Sequence, residues 1–260
     1  NLFAKEWIAS SVSIPKESDI SVLSNSAESI RINFELSGYH IDNTKYGSHI
    51  TTPGAVSMLL KDAPDLPIIT ESILIPDLAH MELTIISKDF VDVPIEGIIP
   101  SKGNITRDVN LNNIPFIKGE VYNRNSFFPS DISYLRSPHI IRSKRGQTIV
   151  FQPFQYNPVK KILRVHTRII IEVNANGLST DNPLVRYPGE SSGAREMEEI
   201  YKHHFINYSS SLDRYTPVNE DGSMLVICYG PFIESMQPFI NWKNKKGIKT
   251  ELVDVADIGD

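Results

Sequence analysis

Ile30-Arg31-Ile32-Asn33-Phe34-Glu35-Leu36 alternates apolar and polar side chains along its whole length. A period of two belongs to a strand with one face in a core and the other in water. Working outward, Ser72-Ile73-Leu74-Ile75, Met81-Glu82-Leu83-Thr84-Ile85-Ile86, Gln147-Thr148-Ile149-Val150-Phe151 and Arg168-Ile169-Ile170-Ile171-Glu172-Val173 are rich in β-branched residues. Such side chains suit a pleated surface. Many of the 17 prolines fall between these runs: Pro53, Pro64, Pro67, Pro76, Pro94, Pro100, Pro129, Pro153 and Pro158. Proline lacks an N–H and fixes φ, so it belongs at strand ends and edges. Short strands, frequent breaks and no intervening helix predict an antiparallel, jelly-roll-like β-sandwich over residues 1–177.

The pattern changes after Gly177. Leu178 to Gly193 is polar, and a helix is expected over about 194–206, with Met197, Ile200, Tyr201 and Phe205 on one face. His203 and His204 are neighbours on that helix, so they face different directions. With no third ligand evident they read as a solvated face, not a metal site. Ser209-Ser210-Ser211-Leu212-Asp213-Arg214 then forms a Ser-rich linker with one Arg at its end. Exposed linkers of small polar residues are where proteolytic nicking concentrates. From Met224 the reading is strand, helix, strand. Met224–Tyr229 is apolar on both faces, as in a buried parallel strand. Pro231–Lys246 sets Phe232, Met236, Phe239, Ile240 and Trp242 toward one side, and Gly247 is a suitable stop. One such unit does not cover its own faces. Residues 215–260 are therefore expected to open a larger α/β domain that continues past Asp260.

Gross composition removes several functions. Apolar residues make up 40% of 260, which supports a real core. A net charge of −5 without a basic block argues against nucleic acid as the main partner. No apolar run approaches the ~20 residues that span a bilayer. The N-terminus lacks the basic-then-apolar order of a signal peptide, so the chain is either cytosolic or has lost its signal. The single Cys228 excludes an intrachain disulfide framework. It sits inside an apolar run with no His placed to activate it, and reads as a small hydrophobe.

Arg214-Tyr215-Thr216-Pro217-Val218, Met224-Leu225-Val226-Ile227 and Phe239-Ile240-Asn241-Trp242-Lys243-Asn244-Lys245-Lys246-Gly247-Ile248-Lys249-Thr250-Glu251 closely resemble the start of the mature catalytic domain of gingipains, the family C25 cysteine peptidases. Upstream, Ala63-Pro64-Asp65-Leu66-Pro67 with Ile73-Leu74-Ile75-Pro76 is similar to the propeptide of that family. Phe151-Gln152-Pro153-Phe154-Gln155-Tyr156-Asn157-Pro158 with Leu163–Val173 resembles its last hairpin. The resemblance runs from roughly Ser48 to the end. It implies a caspase-like α/β catalytic domain with a Cys nucleophile and a His, and secretion through the type IX system, hence a secreted or cell-surface protein that passes the periplasm. It also implies calcium in the downstream catalytic domain and none in this chain. The catalytic motif itself is absent here, so no catalytic residue is assigned and this piece is expected to be inactive.

The resemblance places a pro/mature junction between Arg214 and Tyr215. It also places a basic residue, at what looks like the Arg107 position, in the specificity pocket of the enzyme. Arg107 lies in the polar loop Pro100-Ser101-Lys102-Gly103-Asn104-Ile105-Thr106-Arg107-Asp108-Val109-Asn110. A guanidinium offers a planar fork of donors that pairs bidentately with a carboxylate. Lys102 and Arg124 are rivals for that role. The expected partner is the chain's own catalytic domain, followed by the secretion machinery. Two other readings stay open: a non-inhibitory β-sandwich for adhesion or assembly, and the prodomain of a sortase-like C25 member that trims secreted cargo.

Overall fold

The structure is a computed structural model, and it describes residues 6–186, 195–209 and 223–258. It divides into two compact units. The larger holds residues 1–190 and 199–213, the smaller 191–198 and 214–260.

The larger unit is mainly β and antiparallel. Its strands are β1 (Glu6–Ala9), β2 (Asp19–Asn25), β3 (Ser29–Glu35), β4 (Gly38–Thr44), β5 (Gly47–Thr51), β6 (Val56–Ser57), β7 (Pro67–Leu74), β8 (Ala79–Pro94), β9 (Ser133–Leu135), β10 (His139–Ile141), β11 (Lys144–Phe151), β12 (Phe154–Asn157) and β13 (Ile162–Leu178). One sheet runs β12-β13-β3-β2, with β8 on the other edge of β13. A second runs β10-β11-β7-β6, with β9 also on β11, and β1-β4-β5 forms a third.

The alternation over Ile30–Leu36 is realised except at Asn33, which is buried and accepts from Arg168 Nε at 2.7 Å. Ile30, Ile32, Phe34 and Leu36 are buried, and Ile169, Ile171 and Val173 of β13 join them in one core. The first two sheets meet where the rings of Phe34 and Phe151 stack with centroids 4.9 Å apart. The prolines behave as punctuation: Pro67 opens β7 and Pro94 closes β8.

Arg145 is the largest fully buried side chain. Its Nε donates to Asn182 O, Nη1 to Pro76 O and Ala79 O, and Nη2 to Asp181 O. One guanidinium thereby ties the β7–β8 connection and the chain after β13 to the start of β11. Burial pulls its pKa below the usual guanidinium value, while Asp181 and Asp77 push it back up. An Arg is suited to this because its donors fan out in one plane.

The helix α1 (Arg195–His204) matches the expected span. Tyr201 and Phe205 are buried, but Ile200 remains half exposed. Phe205 rests on Gly146 of β11, where an added Cβ would fall 2.2 Å from Phe205 Cε1. Beyond the helix, Asn207 clasps the end of β7: its Oδ1 accepts from Leu74 N and its Nδ2 donates to Leu74 O. Packed residues thus reach Asn207, just ahead of the segment read as linker. The expectation of a solvated His pair needs correcting. His204 Nε2 lies 3.0 Å from His139 Nε2 on β10, because Phe205 docking turns that face of the helix onto the sheet. Burial first, and then His204, hold the His139 pKa below the usual imidazole value.

The smaller unit contains β14 (Met224–Cys228), α2 (Ile233–Lys245) and β15 (Thr250–Asp254), with the two strands parallel. Gly247 follows α2 at φ +83°, the left-handed stop expected of it. Leu225 and Ile227 are more than half exposed, so β14 has one uncovered face. On α2 only Ile240 is buried, while Phe239 and Trp242 stay partly exposed. No helix among the described residues is long and apolar enough to cross a membrane.

Candidate functional site

Between β8 and β9 the chain makes a long excursion, and its two feet are pinned by one residue. Asp62 N donates to Ser101 O at 2.9 Å, and Asp62 O accepts from Gly119 N at 2.8 Å. Asp62 itself has φ 63°. Asp tolerates that left-handed region better than most side chains because its short polar group bonds locally. Beside it, Gly103 has φ +82° and passes so close to Lys61 that a Cβ would meet Lys61 Cβ at 2.9 Å. Glycine is therefore required there. Further along, the buried-side hydroxyl of Tyr122 donates to Ile98 O at 2.9 Å.

Between these anchors residues 106–113 are exposed, outside the core. Thr106 O accepts from Val109 N at 3.2 Å, which closes a turn with Arg107 at its leading corner. Asn110 Oδ1 then accepts from Asn112 N, and a short 3₁₀ turn follows at Leu111–Asn113. A hydrogen bond from the Thr106 side chain lowers the Asp108 pKa, and the Asp108 backbone N–H adds to it.

The structure separates the three basic candidates. Lys102 turns inward: its Nζ donates to Leu111 O at 2.7 Å and lies 4.3 Å from the centroid of the Phe116 ring. Arg124 is exposed and reaches Glu120 at 3.4 Å on its own short 3₁₀ turn. Arg107 makes no hydrogen bond or ion pair with any described residue, and it stands at an exposed turn. Arg214 and Tyr215 lie outside the described residues.

The far foot of the loop is also built in. Gln155 Nε2 donates to Pro129 O and Ser130 O, and Gln155 Oε1 accepts from His166 Nε2 at 2.8 Å. His166 is buried, and its pKa falls to about 4, through burial first and then Lys88 and Arg164. Next to it the Arg164 guanidinium sits between the Phe90 and Phe127 rings, 4.0 and 4.1 Å from their centroids. Asp92 holds that guanidinium in place with two bonds of 2.8 and 2.9 Å.

Sequence reasoning missed Asp62, Gln155 and Arg164 as supports of the loop. Asp62 carried one usable signal, since an Asp just before Ala63-Pro64 suits a turn. The others act across long sequence separations and leave no local trace. Among the described residues no group of three or more His, Cys, Asp or Glu is placed to hold a metal ion.

The family model described as Propeptide_C25 matches residues 11–213. The chain belongs to the C25 propeptide family. This C25 propeptide is 35% identical over 231 residues to Gingipain R2 of Porphyromonas gingivalis strain W83, an alignment that covers 85% of this chain and 31% of the relative. It is 25% identical over 223 residues to Lys-gingipain of the same species, covering 81% of this chain and 12% of the relative. The chain thus spans about a third or less of the length of the curated relatives it matches. Among solved structures, the C25 propeptide resembles a chain of the complex of Porphyromonas gingivalis RgpB pro- and mature domains. The TM-score is 0.66 at 31% identity, and 73% of this chain and 97% of that one are covered. A chain from the structure on zymogenic latency of gingipain K shares the fold at TM-score 0.55 and 19% identity, covering 67% and 98%.

Proposed function

We propose that this chain is the front part of the zymogen of a secreted, gingipain-like, Arg-specific cysteine endopeptidase. The β-sandwich inhibits and chaperones the catalytic domain by lying over its cleft, with Arg107 in the specificity pocket. Residues 215–260 open that catalytic domain, and cleavage between Arg214 and Tyr215 releases the enzyme. The piece itself carries no catalytic pair and is inactive. Export through the type IX system to the cell surface, and calcium in the downstream domain, belong to the same proposal.

The observation that carries it is the state of Arg107. It is a cation without a partner among the described residues, held at the corner of an exposed turn whose two feet are both hydrogen-bonded to Asp62. A site of this kind meets a carboxylate-bearing pocket with little ordering left to do. The described neighbour in which pro- and mature domains form a complex supports the partner. A prodomain bound only to the folded enzyme also stabilises it, which supports the chaperone role.

The test is inhibition of a purified Arg-specific gingipain by the 260-residue chain. Arg107→Ala should weaken inhibition by a hundredfold or more, the scale of a lost charge-assisted anchor. Unchanged inhibition removes Arg107 from the role. In the full precursor, Arg214→Ala should stall maturation, and normal processing of that variant would exclude the junction.

A further inference from the structure

An exposed arginine on a loop that enters an Arg-specific protease should be cut. Resting on the proposed function above, we propose that Lys102 is the positioning residue that makes this loop a lasting inhibitor rather than a substrate.

Lys102 lies before Arg107 and Leu111 after it. The bond from Lys102 Nζ to Leu111 O, 2.7 Å long, therefore spans the Arg107–Asp108 peptide. The ammonium is held at its other side by the Phe116 ring, 4.3 Å away, and Phe116 packs on Tyr46 at the tip between β4 and β5, centroids 4.5 Å apart. Beneath this brace, Asp62 joins Ser101 to Gly119. The chain is clamped on both sides of Arg107, at two levels.

Two consequences follow for the protease. Peptidases of this kind attack an extended segment, whereas the residues after Arg107 are bent twice, at Thr106–Val109 and at Leu111–Asn113. Straightening them means breaking the Lys102 bond. If attack nevertheless occurs, the C–N bond between Arg107 and Asp108 breaks. The enzyme's cysteine sulfur has bonded the Arg107 carbonyl carbon as a thioester, and the amine leaves on Asp108 with the proton; only a later attack by water on that thioester would return the thiol and complete the Arg107 carboxylate. The brace keeps that amine beside the Arg107 acyl group, so the peptide re-forms before water arrives, as expected when two reacting ends share a high effective concentration. Asn110 adds a second turn on the leaving side. Thr106 braces the same side at close range, its side chain hydrogen-bonding the Asp108 carboxylate across Arg107, while Lys102 ties the longer span to Leu111.

The experiment incubates the 260-residue chain with a mature Arg-specific gingipain. It follows enzyme activity on a small Arg substrate over time, and the Arg107–Asp108 bond by mass spectrometry. Wild type should inhibit durably with that bond intact. Lys102→Met keeps the aliphatic stem but not the donor. It should inhibit equally at the outset and then lose inhibition as the bond is cut about tenfold faster, the scale of one hydrogen bond from a charged donor. Lys102→Arg should restore durability. The idea is overturned if Lys102→Met is no more cleaved at Arg107 than wild type, or if its new cuts are scattered over other basic residues. A variant that merely unfolds gives scattered cuts and a lowered unfolding midpoint. If instead Arg107→Ala inhibits as well as wild type, the proposed function fails and this inference falls with it.

Discussion

The ring of Phe205 occupies the space that a side chain on Gly146 would fill. The two residues are far apart in sequence, one near the start of β11 and one just past α1. Their contact fixes the helix to the sheet that carries β10. Tyr201 backs the ring from the helix side, and Asn207 clasps Leu74 beyond it. Gly146→Ala would place a methyl 2.2 Å from Phe205 Cε1, so the ring must leave. Overpacking of this kind costs about 1–3 kcal/mol. Hydrogen exchange should show faster exchange over residues 201–207 and unchanged protection in β3. Equal protection of 201–207 in the variant would mean that the helix is held by other contacts.

Arg145 yields a second prediction. Four backbone carbonyls converge on its guanidinium inside the unit. Arg145→Met removes every donor and leaves those acceptors dry, each costly to desolvate without a partner. Urea unfolding should show a loss of roughly 3 kcal/mol or more. Arg145→Lys keeps the charge, but a single ammonium does not reproduce the planar fork, so the loss should be intermediate. A Met variant within ~0.5 kcal/mol of wild type would contradict the role assigned to those bonds.

His166 predicts a pH dependence. Gln155 donates its amide to Pro129 and Ser130, so its Oε1 accepts, and His166 Nε2 carries the proton. His166 Nδ1 is buried without a partner among the described residues. A second proton there would find no acceptor, which agrees with a folded pKa of about 4. Lys88 and Arg164 oppose the charge and Asp92 favours it. The unfolded side chain titrates near its ordinary value of about 6.5, so between these values the unfolded chain binds the extra proton. Stability should be full above about pH 6.5 and fall as pH drops toward 4, by roughly 3 kcal/mol over that window. His166→Asn should flatten that part of the pH profile in urea unfolding. An equally steep profile in the variant would assign the dependence to other groups.

Much of the fold was legible because burial follows a period of two. Ile32, Phe34 and Leu36 alternate in the sequence and alternate in the structure, and prolines mark the strand ends. The Arg107 loop was legible for a related reason, since a polar stretch with Gly and Asn between strands has no core face to bury. Its supports were not legible. Asp62 acts on Ser101 and Gly119 through backbone atoms, which no side-chain pattern records. Arg145, flanked by Ser143 and Lys144, looks solvated until four distant carbonyls close around it. His204 looked free because its partner, His139, sits on another element. In the smaller unit Leu225, Ile227 and Trp242 are apolar and largely exposed among the described residues, and the pattern alone does not say what covers them.

The last prediction concerns Arg164, which links the loop's far foot to the sheet. Its guanidinium lies between Phe90 on β8 and Phe127 on the loop, and Asp92 aligns it from the side. Asp92's carboxyl is held below its usual range by the hydrogen bond to Arg164. The cluster is partly exposed, so ion pairing alone contributes little. The larger contribution is stacking, since two aromatic faces on one guanidinium add about 1–2 kcal/mol together. Arg164→Ala should therefore free Phe127 and raise exchange over residues 120–128 more than in β13. Arg164→Lys retains the charge and should behave much like Ala, because a compact ammonium neither stacks flat nor pairs bidentately. Asp92→Asn should fall between wild type and these two variants, since the rings remain while the alignment is lost. If Lys fully replaced Arg in that exchange measurement, charge and not the planar stack would be what seats the loop.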